Sequence, residues 1–410
     1  MAAMDLDQFD PEVMPGKLVS IDGHQAYNPK PLPPELDLTP ELFRALSEAQ
    51  QELSELAGIG RTIKNPHMLI RPFIRQEAVL SSRIEGTQAD LSDVLAFEAG
   101  DENYVDEPRR VGVREVQNYV SATEYGLKKL ETDSISIELI KNTHRILLTE
   151  VRGEEKNPGE FRDRQNFIAP PGVDNARDAR FVPPPASSAH YAMRELEEFI
   201  QSGSRYPDLV DIALAHYQIE TIHPFLDGNG RIGRLLITLM ICERGLLPEP
   251  LLYLSGYFNR NREEYFDKLF RVSAKNDWEP WLLFFLRGVQ SQAKEAFIRS
   301  NELYDLHSQY HTRYQASQSE TILQVIDFLF SSPVLTVRKA TSEIGDKTYQ
   351  AVNNSVNKLE EDGILREVTG RSQNRLFKAT EIINIIHKPL DELQHVDRGF
   401  GGQAKLGDYR

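Results

Sequence analysis

The order of apolar and polar residues along the chain predicts a protein built mainly from helices. Apolar side chains recur every three or four positions in several long stretches, the spacing that gives an amphipathic helix one buried face. On this basis helices are predicted over residues 40–58, 73–85, 110–130, 137–148 and 191–200. Strict alternation, which is typical of half-buried strands, is confined to short segments, so the predicted fold class is mainly α.

The chain divides into four regions. Residues 1–35 are rich in proline and polar side chains, which predicts an extended arm, and this arm and the helices after it form an N-terminal region, 1–107. A central domain spans 108–300, a connector and a small C-terminal domain span 301–390, and residues 391–410 are expected to form a loosely ordered tail. A chain of 410 residues has room for two or three domains.

The C-terminal domain has the pattern of a winged helix. Three short runs with helical spacing precede two alternating segments around Gly370, and three helices followed by a two-stranded wing are typical of that motif. The third helix would expose Lys347, Gln350, Asn353, Asn354 and Lys358. These side chains suit a DNA groove, but acidic residues nearby balance the basic ones, and phosphate contacts dominate affinity for DNA. DNA is therefore a weakly supported partner, and docking of a protein or support of a homodimer is the alternative.

The densest chemistry lies in residues 223–234, which read His-Pro-Phe-Leu-Asp-Gly-Asn-Gly-Arg-Ile-Gly-Arg. Helical spacing before this segment and an apolar run after it predict a tight loop between two buried helices. The second helix would begin near Asp227 to Asn229. Unpaired N–H groups and the positive end of the helix dipole bind anions at such a position.

Several residues of this segment suit a phosphate chain. Gly228 and Gly230 permit positive φ and let a bulky anion approach the backbone. Arg231 and Arg234 lie three positions apart, so both guanidinium groups can reach one anion, which favours a diphosphate or triphosphate. Asp227 is a suitable ligand for Mg²⁺ that bridges phosphate oxygens.

His223 is the one group in this segment that can accept a proton near neutral pH. Taken alone, a histidine before a proline is more often a packed loop residue, and Asp-Gly-Asn-Gly is more often a turn. All these groups fall within twelve consecutive residues, a concentration that a structural role does not explain. The segment therefore predicts phosphoryl or nucleotidyl transfer.

The same segment matches the full signature of the Fic family, His-Pro-Phe-x-Asp-Gly-Asn-Gly-Arg-x-x-Arg. The resemblance implies a Fic-type helical core and a protein adenylyltransferase (AMPylator), which moves AMP from ATP to a Ser, Thr or Tyr hydroxyl of a target protein and of itself. It implies His223 as the base, Asp227 as the Mg²⁺ ligand, and nucleotide contacts from Phe225, Gly228, Asn229, Gly230, Arg231 and Arg234. A branch that resembles the Doc kinases has Lys where this chain has Gly230, so Gly230 favours transfer of AMP over transfer of phosphate.

A second resemblance lies upstream, where Ser81-Ser82-Arg83-Ile84-Glu85-Gly86 matches the family's inhibitory motif, Ser/Thr-x-x-x-Glu-Gly/Asn. A helix is predicted to end there, and its dipole disfavours an acid at that end. An exposed carboxylate is the default, and an arginine partner would stabilise it. The resemblance implies that Glu85, in a motif that begins at Ser81, pairs with Arg234 and obstructs the γ-phosphate. It implies a self-inhibited member with an N-terminal inhibitory helix.

Two apolar segments, 166–169 and 180–185, flank a polar stretch that contains glycine. They predict a β-hairpin, which its prolines confine to an edge; a surface loop is the alternative. The resemblance implies that this hairpin is the flap, on which the target protein docks by strand addition. Just upstream, Pro158 to Arg162 resembles another family segment, in which Arg162 would tie loops together.

A further family-like segment runs from Ser255 to Asn261. The resemblance implies that Tyr257 lines the nucleoside pocket and that Arg260 or Asn261 contacts the ribose or the base. Packing and helix capping are the alternatives for all three.

Three rival functions stay open. The chain can be a winged-helix DNA-binding regulator in which the Fic domain only senses a nucleotide. It can transfer phosphate instead of AMP. It can also remove AMP from modified proteins, with Glu85 positioning the attacking water.

Composition adds a few limits. The formal net charge is −15, so the overall field does not favour nucleic acid or an anionic membrane. The single cysteine, Cys242, cannot form an internal disulfide, which fits a reducing cytoplasm. The first eight residues lack an apolar secretory core, and no stretch approaches the roughly 20 apolar residues of a membrane helix.

Overall fold

A computed structural model describes residues 6–21, 23–62, 67–101, 104–169, 179–315 and 319–387. These residues form fifteen α-helices and five short β-strands, so the prediction of a mainly α fold is confirmed. No helix among them combines the length and the apolar composition that crossing a bilayer requires. The predicted tail, 391–410, lies outside the described residues.

The bounds of the elements are as follows. The helices are α1 (Pro40–Thr62), α2 (His67–Ile84), α3 (Leu91–Glu98), α4 (Glu107–Leu130), α5 (Ile137–Leu147), α6 (Ala186–Ser202), α7 (Asp208–Ile222), α8 (Asn229–Glu243), α9 (Ser255–Arg260), α10 (Arg262–Lys275), α11 (Trp278–Gln315), α12 (Glu320–Ser331), α13 (Val337–Ile344), α14 (Tyr349–Glu361) and α15 (Thr380–His387). The strands are β1 (Gly16–Ile21), β2 (His24–Pro29), β3 (Val334–Thr336), β4 (Arg366–Glu367) and β5 (Leu376–Lys378).

Helices α7 and α8 form the centre of the molecule. Nearly every residue of α7 is buried, because apolar side chains occur all around it and neighbours cover each side. Helix α8 packs on α7 and also contacts α2, α4 and α5. The short loop that joins α7 to α8 is therefore held by buried helices at both ends, as the sequence predicted.

The N-terminal segment differs from the predicted extended arm. Strands β1 and β2 pair as an antiparallel hairpin, with Gly16 opposite Pro29 at one end and Ile21 opposite His24 at the other. The Tyr27 N–H donates to the Val182 carbonyl (2.9 Å). These strands are stabilised by docking on a distant part of the chain, and for that reason their own polarity pattern gave little sign of them.

Helix α11 crosses a predicted domain boundary. The boundary near residue 108 lies at the start of α4, but the one at residue 300 falls inside α11, which runs unbroken for 38 residues. Trp281 and Phe285 are buried in its first half, and Leu303 and Leu306 are buried in its second half. One rigid helix therefore belongs to both the central domain and the connector.

The C-terminal elements follow in the order helix, strand, helix, helix, strand, strand, from α12 to β5. Strand β5 lies between β3 and β4 in an antiparallel sheet. The three predicted helices and the two predicted strands are present; β3 and α15 were not predicted, since β3 has only three residues. The assignment of these elements as a winged helix stays a prediction.

Candidate active site

Residues 223–228 form the tight loop between α7 and α8. His223 has a φ of 50° and Gly228 a φ of 77°, values in the left-handed region that glycine adopts without strain. The Asn229 side chain closes the loop, because its Oδ1 accepts from the Phe225 N–H (2.8 Å) and its Nδ2 donates to the Phe225 carbonyl (2.8 Å). The Asn229 side chain is thus used within the loop, which leaves its backbone N–H for the predicted contact with phosphate.

Phe225 supports this loop from the core. Its side chain is fully buried and stacks on the His144 ring, with 3.7 Å between ring centroids. A fully buried ring that is covered by His144 fixes the loop, and contact of Phe225 with the nucleotide stays a prediction. His144 also bonds to two loops: Nε2 donates to the Asp227 carbonyl (2.9 Å) and Nδ1 accepts from the Gly159 N–H (2.9 Å).

His223 is held in the tautomer of a base. Its Nδ1 lies 3.2 Å from the Glu220 carbonyl oxygen, and a carbonyl only accepts, so Nδ1 carries the proton and Nε2 has a free lone pair. Burial lowers the pKa of His223 to about 4; the charge of Arg162 also lowers it, while the Glu220 carbonyl and Glu85 oppose these effects. The ring is consequently neutral at pH 7 and able to accept a proton.

Arg162 ties the loops around His223 together, as predicted. It is 1% exposed; its Nε donates to the His223 carbonyl (2.9 Å), and its Nη2 donates to the carbonyls of Ile222 (3.4 Å) and Pro184. Asn166, just downstream, donates from Nδ2 to the His223 carbonyl (3.1 Å). The backbone that carries the imidazole is therefore fixed from below by two side chains.

Arg231 lies at the first turn of α8 with an incomplete set of partners. It is 1% exposed, and its Nη2 lies 3.5 Å from Oδ1 of Asp227. Its Nε and Nη1 are buried and have no hydrogen-bond partner in the described part of the chain. A buried cation with unsatisfied donors is costly, and an anion at the start of α8 would satisfy it.

Arg234, one turn later, is fully engaged with α2. Its Nη2 donates to Glu85 Oε1 (2.7 Å) and to the Ser81 carbonyl (3.0 Å), and its Nε donates to Ser81 Oγ (2.9 Å). Burial would raise the pKa of Glu85, but Arg234 outweighs it and holds that pKa below the usual range. The pairing predicted for Glu85 and Arg234, and the place of Ser81 in it, are thus present in the structure.

Glu85 lies between the start of α8 and solvent. It follows the last residue of α2, and its side chain remains 34% exposed. Its Oε1 would collide with any Cβ at position 230, so the carboxylate lies directly over the backbone of Gly230. Arg262 fixes the end of α2 beside it by donating from Nε to the Ile84 carbonyl (3.1 Å). Glu85 therefore covers the anion site that the first turn of α8 would offer.

A cavity of about 200 Å³ opens beside this covered position. Its polar lining includes Glu85, Glu220 and His223. Its apolar wall comes from α10 and from the segments predicted as the flap: Ile168, Ala169, Phe181, Phe266, Leu269 and Phe270. The flap segments pair through a bridge between Ile168 and Phe181, and residues 170–178, where the tip was predicted, lie outside the described residues.

Glu220 is a cavity residue that the sequence analysis missed. Its Oε1 is buried with no partner among the described residues, and burial raises its pKa to about 7 against the pull of Arg234. The sequence feature that could have revealed Glu220 is its position three residues before His223, which is about one helical turn. Arg262, Phe266 and Phe270 were missed as well, because the helical spacing of α10 does not reveal which neighbour its apolar face meets.

The structure does not bring Tyr257, Arg260 and Asn261 to the lining of this cavity. The Tyr257 ring packs on Phe284 (5.0 Å between centroids), and Arg260 bonds to Gln292 and lies 3.4 Å from Glu295. Asn261 donates from Nδ2 to the Tyr257 carbonyl (3.0 Å). These contacts correspond to the packing and capping alternatives, and nucleotide contacts by these three residues stay a prediction.

Comparison with known proteins agrees with this geometry. Residues 43–128 match the Fic/DOC family N-terminal model, and residues 134–241 match the Fic/DOC family model. A protein adenylyltransferase Fic from Nematostella vectensis is 24% identical over 284 residues, or 67% of this chain and 60% of that protein. One from Drosophila grimshawi is 30% identical over 190 residues, or 45% of this chain and 34% of that protein. The chain thus spans less than two thirds of these relatives.

Among solved structures, a Fic family protein from Desulfovibrio desulfuricans has the same fold. It aligns with 85% of this chain and 98% of its own, with a TM-score of 0.54 at 20% identity. The chain therefore contains a Fic/DOC N-terminal domain and a Fic/DOC domain, and it shares the fold of that Fic family protein.

Proposed function

We propose that this protein transfers AMP from ATP to a hydroxyl of a target protein and of itself, and that Glu85 restrains the reaction. The observation that carries the proposal is the Arg231 guanidinium, which is buried with two unpartnered nitrogen atoms at the start of α8. Such a guanidinium suits an anion with several oxygens, because its planar, forked N–H donors match the geometry of a phosphate. The family relatives named protein adenylyltransferase Fic support the choice of ATP.

The phosphates would lie over the first turn of α8. The backbone N–H groups of Asn229, Gly230 and Arg231 belong to this turn, and the first N–H groups of a helix have no partner within it. Gly230 leaves space there. A Cβ at this position would collide with the group that lies over the turn, which in this structure is the Glu85 carboxylate. Arg231 would bind the diphosphate side, and Arg234 would bind the γ-phosphate once Glu85 has left.

The adenosine would lie in the neighbouring cavity. Phe266, Leu269 and Phe270 line it, and an apolar, aromatic wall suits a flat base. The present volume of about 200 Å³ is below the roughly 300–1,000 Å³ of typical small-molecule sites. Because Glu85 lines the same cavity, its departure would enlarge the space toward α8 and join the two parts.

Asp227 fits a Mg²⁺ ion that accompanies ATP. Its Oδ1 accepts from the Gly228 N–H (2.6 Å), and its side chain is 31% exposed, so a second oxygen can face solvent and a ligand. Mg²⁺ usually takes one or two carboxylates with substrate phosphates and waters, and a single carboxylate beside a phosphate site is that ligand set. When bound, the ion would neutralise charge on the phosphates.

His223 would act as the general base. The attacking hydroxyl oxygen forms a bond to the α-phosphorus, its proton passes to the free Nε2, and the bond to the β-phosphate oxygen breaks with loss of pyrophosphate. The neutral state of the ring at pH 7 follows from its buried position. Removal of a general base typically costs about 10²–10⁴-fold in rate.

Glu85 would restrain this reaction by competition. A carboxylate and a γ-phosphate need the same guanidinium, and Glu85 already holds Arg234 at 2.7 Å. A charge-assisted hydrogen bond contributes about 1.5–3 kcal/mol, which corresponds to a factor of roughly 10–100 in the apparent affinity for ATP. About a third of the Glu85 side chain is exposed, so a partner that binds at this surface could draw Glu85 away from Arg234.

The target would dock on the flap. The segments around Ile168 and Phe181 border the cavity, so a strand added at this edge would place a hydroxyl near His223. We also propose a homodimer and a cytoplasmic location, which the sequence favours. DNA is the least supported partner.

Labelled ATP separates this proposal from its rivals. Purified Glu85→Gly protein, incubated with Mg²⁺ and ATP labelled at either the α- or the γ-phosphate, should gain label from the α position only. Label from the γ position alone would establish phosphate transfer instead. No label from either position, in a variant that binds ATP, would leave nucleotide sensing as the function.

A further inference from the structure

A second cluster of titratable side chains lies outside the cavity lining, where α11 meets α12. His307 and His311 of α11 meet Asp327 of α12, and Nε2 of the two rings lies 2.7 Å and 2.6 Å from the same atom, Oδ1 of Asp327. All three ligand atoms fall within 4.8 Å of one another. In the part of the chain that the structure describes, no other three side chains of His, Cys, Asp or Glu converge in this way.

Helix geometry places the two rings side by side. Residues four apart lie on one helix face, so both imidazoles project toward α12, which packs on α11. Phe330 fixes the first ring, since His307 meets it edge-on with 5.0 Å between centroids. The centroids of the two imidazole rings are 4.1 Å apart. Their convergence therefore follows from the packing of two helices and does not depend on a flexible loop.

We propose that His307, His311 and Asp327 bind a divalent transition-metal ion, with Zn²⁺ as the ion that this ligand set favours. Two imidazole nitrogens and one carboxylate oxygen suit Zn²⁺ and its neighbours, whereas Mg²⁺ prefers oxygen alone. The site is therefore chemically distinct from Asp227.

The cluster is open enough to receive an ion. The three side chains are 21%, 33% and 44% exposed, so solvent reaches them. Three protein ligands leave a fourth position of a tetrahedral ion for water. The cluster lies within the interface of two helices and does not line the nucleotide cavity.

The geometry that makes two hydrogen bonds also presents a set of ligands. Both rings direct Nε2 at Oδ1 of Asp327, and a change of each neutral ring to the tautomer with its proton on Nδ1 would free both Nε2 lone pairs for one ion. Ligands about 2.0–2.1 Å from a tetrahedral Zn²⁺ lie about 3.3 Å apart. The present distances of 2.6 and 2.7 Å would widen by roughly 0.6 Å on this basis, a shift that partly exposed side chains can make.

Such an ion would join two parts of the molecule. Its ligands come from the far end of the long helix of the central domain and from the first helix of the C-terminal domain. Binding would therefore fix α12 on α11 and hold the C-terminal domain in one orientation. The ion would act on the arrangement of domains, and the AMP-transfer chemistry at His223 does not require it.

The test is metal titration of the full chain. Protein without a polyhistidine tag, stripped with EDTA and dialysed, is titrated with Zn²⁺ by calorimetry, and with Co²⁺ by visible absorption. We expect one ion per chain and the intense visible bands of four-coordinate Co²⁺. His311→Ala and Asp327→Asn should each weaken Zn²⁺ binding by at least about 100-fold, since loss of a second-shell partner alone costs 10–100-fold.

His24→Ala is the matched control, because it removes a histidine from the distant N-terminal hairpin and should leave the affinity unchanged. Asp327→Asn keeps the shape of the side chain, so it decides the question if His311→Ala fails to fold by circular dichroism. Absence of saturable binding would overturn the proposal, and so would equal affinity in Asp327→Asn and the unaltered protein.

Discussion

Arg231 and Arg234 are two guanidinium groups in similar positions with opposite surroundings. Both are almost fully buried, and they lie three residues apart on α8. Arg234 is bound by Glu85 and Ser81 of α2, whereas two nitrogens of Arg231 have no partner among the described residues. One half of the proposed phosphate site is therefore closed by α2, and the other half is open.

In the proposed function, this difference explains how Glu85 would inhibit AMP transfer without altering His223. The imidazole of His223 keeps its tautomer and the loop keeps its shape while α2 occupies a single charge clamp. An unpaired buried cation is unfavourable and a paired one is stabilised. The two unpartnered nitrogens of Arg231 therefore carry a cost in free energy that an anion at the start of α8 would offset.

The largest expected effect concerns chemistry on the open side. In a Glu85→Gly background, His223→Ala should lower labelling from α-labelled ATP by about 10²–10⁴-fold, because the base is lost. ATP affinity, measured by calorimetry, should stay nearly unchanged, since His223 is not part of the phosphate clamp. Labelling that persists at the level of Glu85→Gly would show that another group takes the proton.

The two arginines should respond to substitution with opposite signs. Arg231→Met should stabilise the ligand-free protein by about 1–3 kcal/mol, because it removes an unsatisfied buried group. Arg234→Met should destabilise it by a similar amount, since it leaves Ser81 and Glu85 without their donor; the exposure of Glu85 keeps this loss below that of a fully buried pair. Denaturant unfolding at pH 7 measures both.

Arg244→Met is the matched control, since this residue follows the last turn of α8 and its partner, Asp208, is remote from the nucleotide site. Equal destabilisation by Arg231→Met and Arg234→Met would remove the contrast between the open and the closed half.

A further expected effect concerns His216 of α7, which bonds to the backbone of α8 next to Arg234. His216 donates from Nδ1 to the Gly233 carbonyl (3.1 Å) and accepts at Nε2 from the Tyr265 hydroxyl (2.8 Å), and burial lowers its pKa to about 3. The unfolded chain binds the proton more readily, so this contribution to stability is complete above pH 6.5 and is lost as pH falls. Between pH 7 and pH 5 the loss is about 2 kcal/mol.

In His216→Gln the fall in unfolding free energy from pH 7 to pH 5 should therefore be about 2 kcal/mol smaller than in the unaltered protein. Denaturant curves at both pH values give this difference directly. An identical fall in the two proteins would mean that His216 does not titrate on unfolding.

The sequence predicted the features that depend on local pattern. The helices of the core, the loop at 223–228 and the pairing of Glu85 with Arg234 were found from spacing and from family motifs. The family motif implied that Phe225 contacts the nucleotide, but a motif position says nothing of burial. The burial of Phe225 depends on His144, which lies 81 residues earlier in the chain. The cavity wall on α10, the buried Glu220 and the hairpin of β1 and β2 depend on contacts between distant segments, and no local pattern encodes them.

The most direct test of the account compares labelling by α-labelled ATP in the unaltered protein, in Glu85→Gly and in Arg83→Gly. Arg83 is exposed on the same last turn of α2, so its substitution changes that helix end without touching Arg234. The account predicts an increase of roughly 10–100-fold at subsaturating ATP for Glu85→Gly, and no increase for Arg83→Gly. Labelling of Glu85→Gly at the level of the unaltered protein would contradict the claim that Glu85 closes the phosphate site.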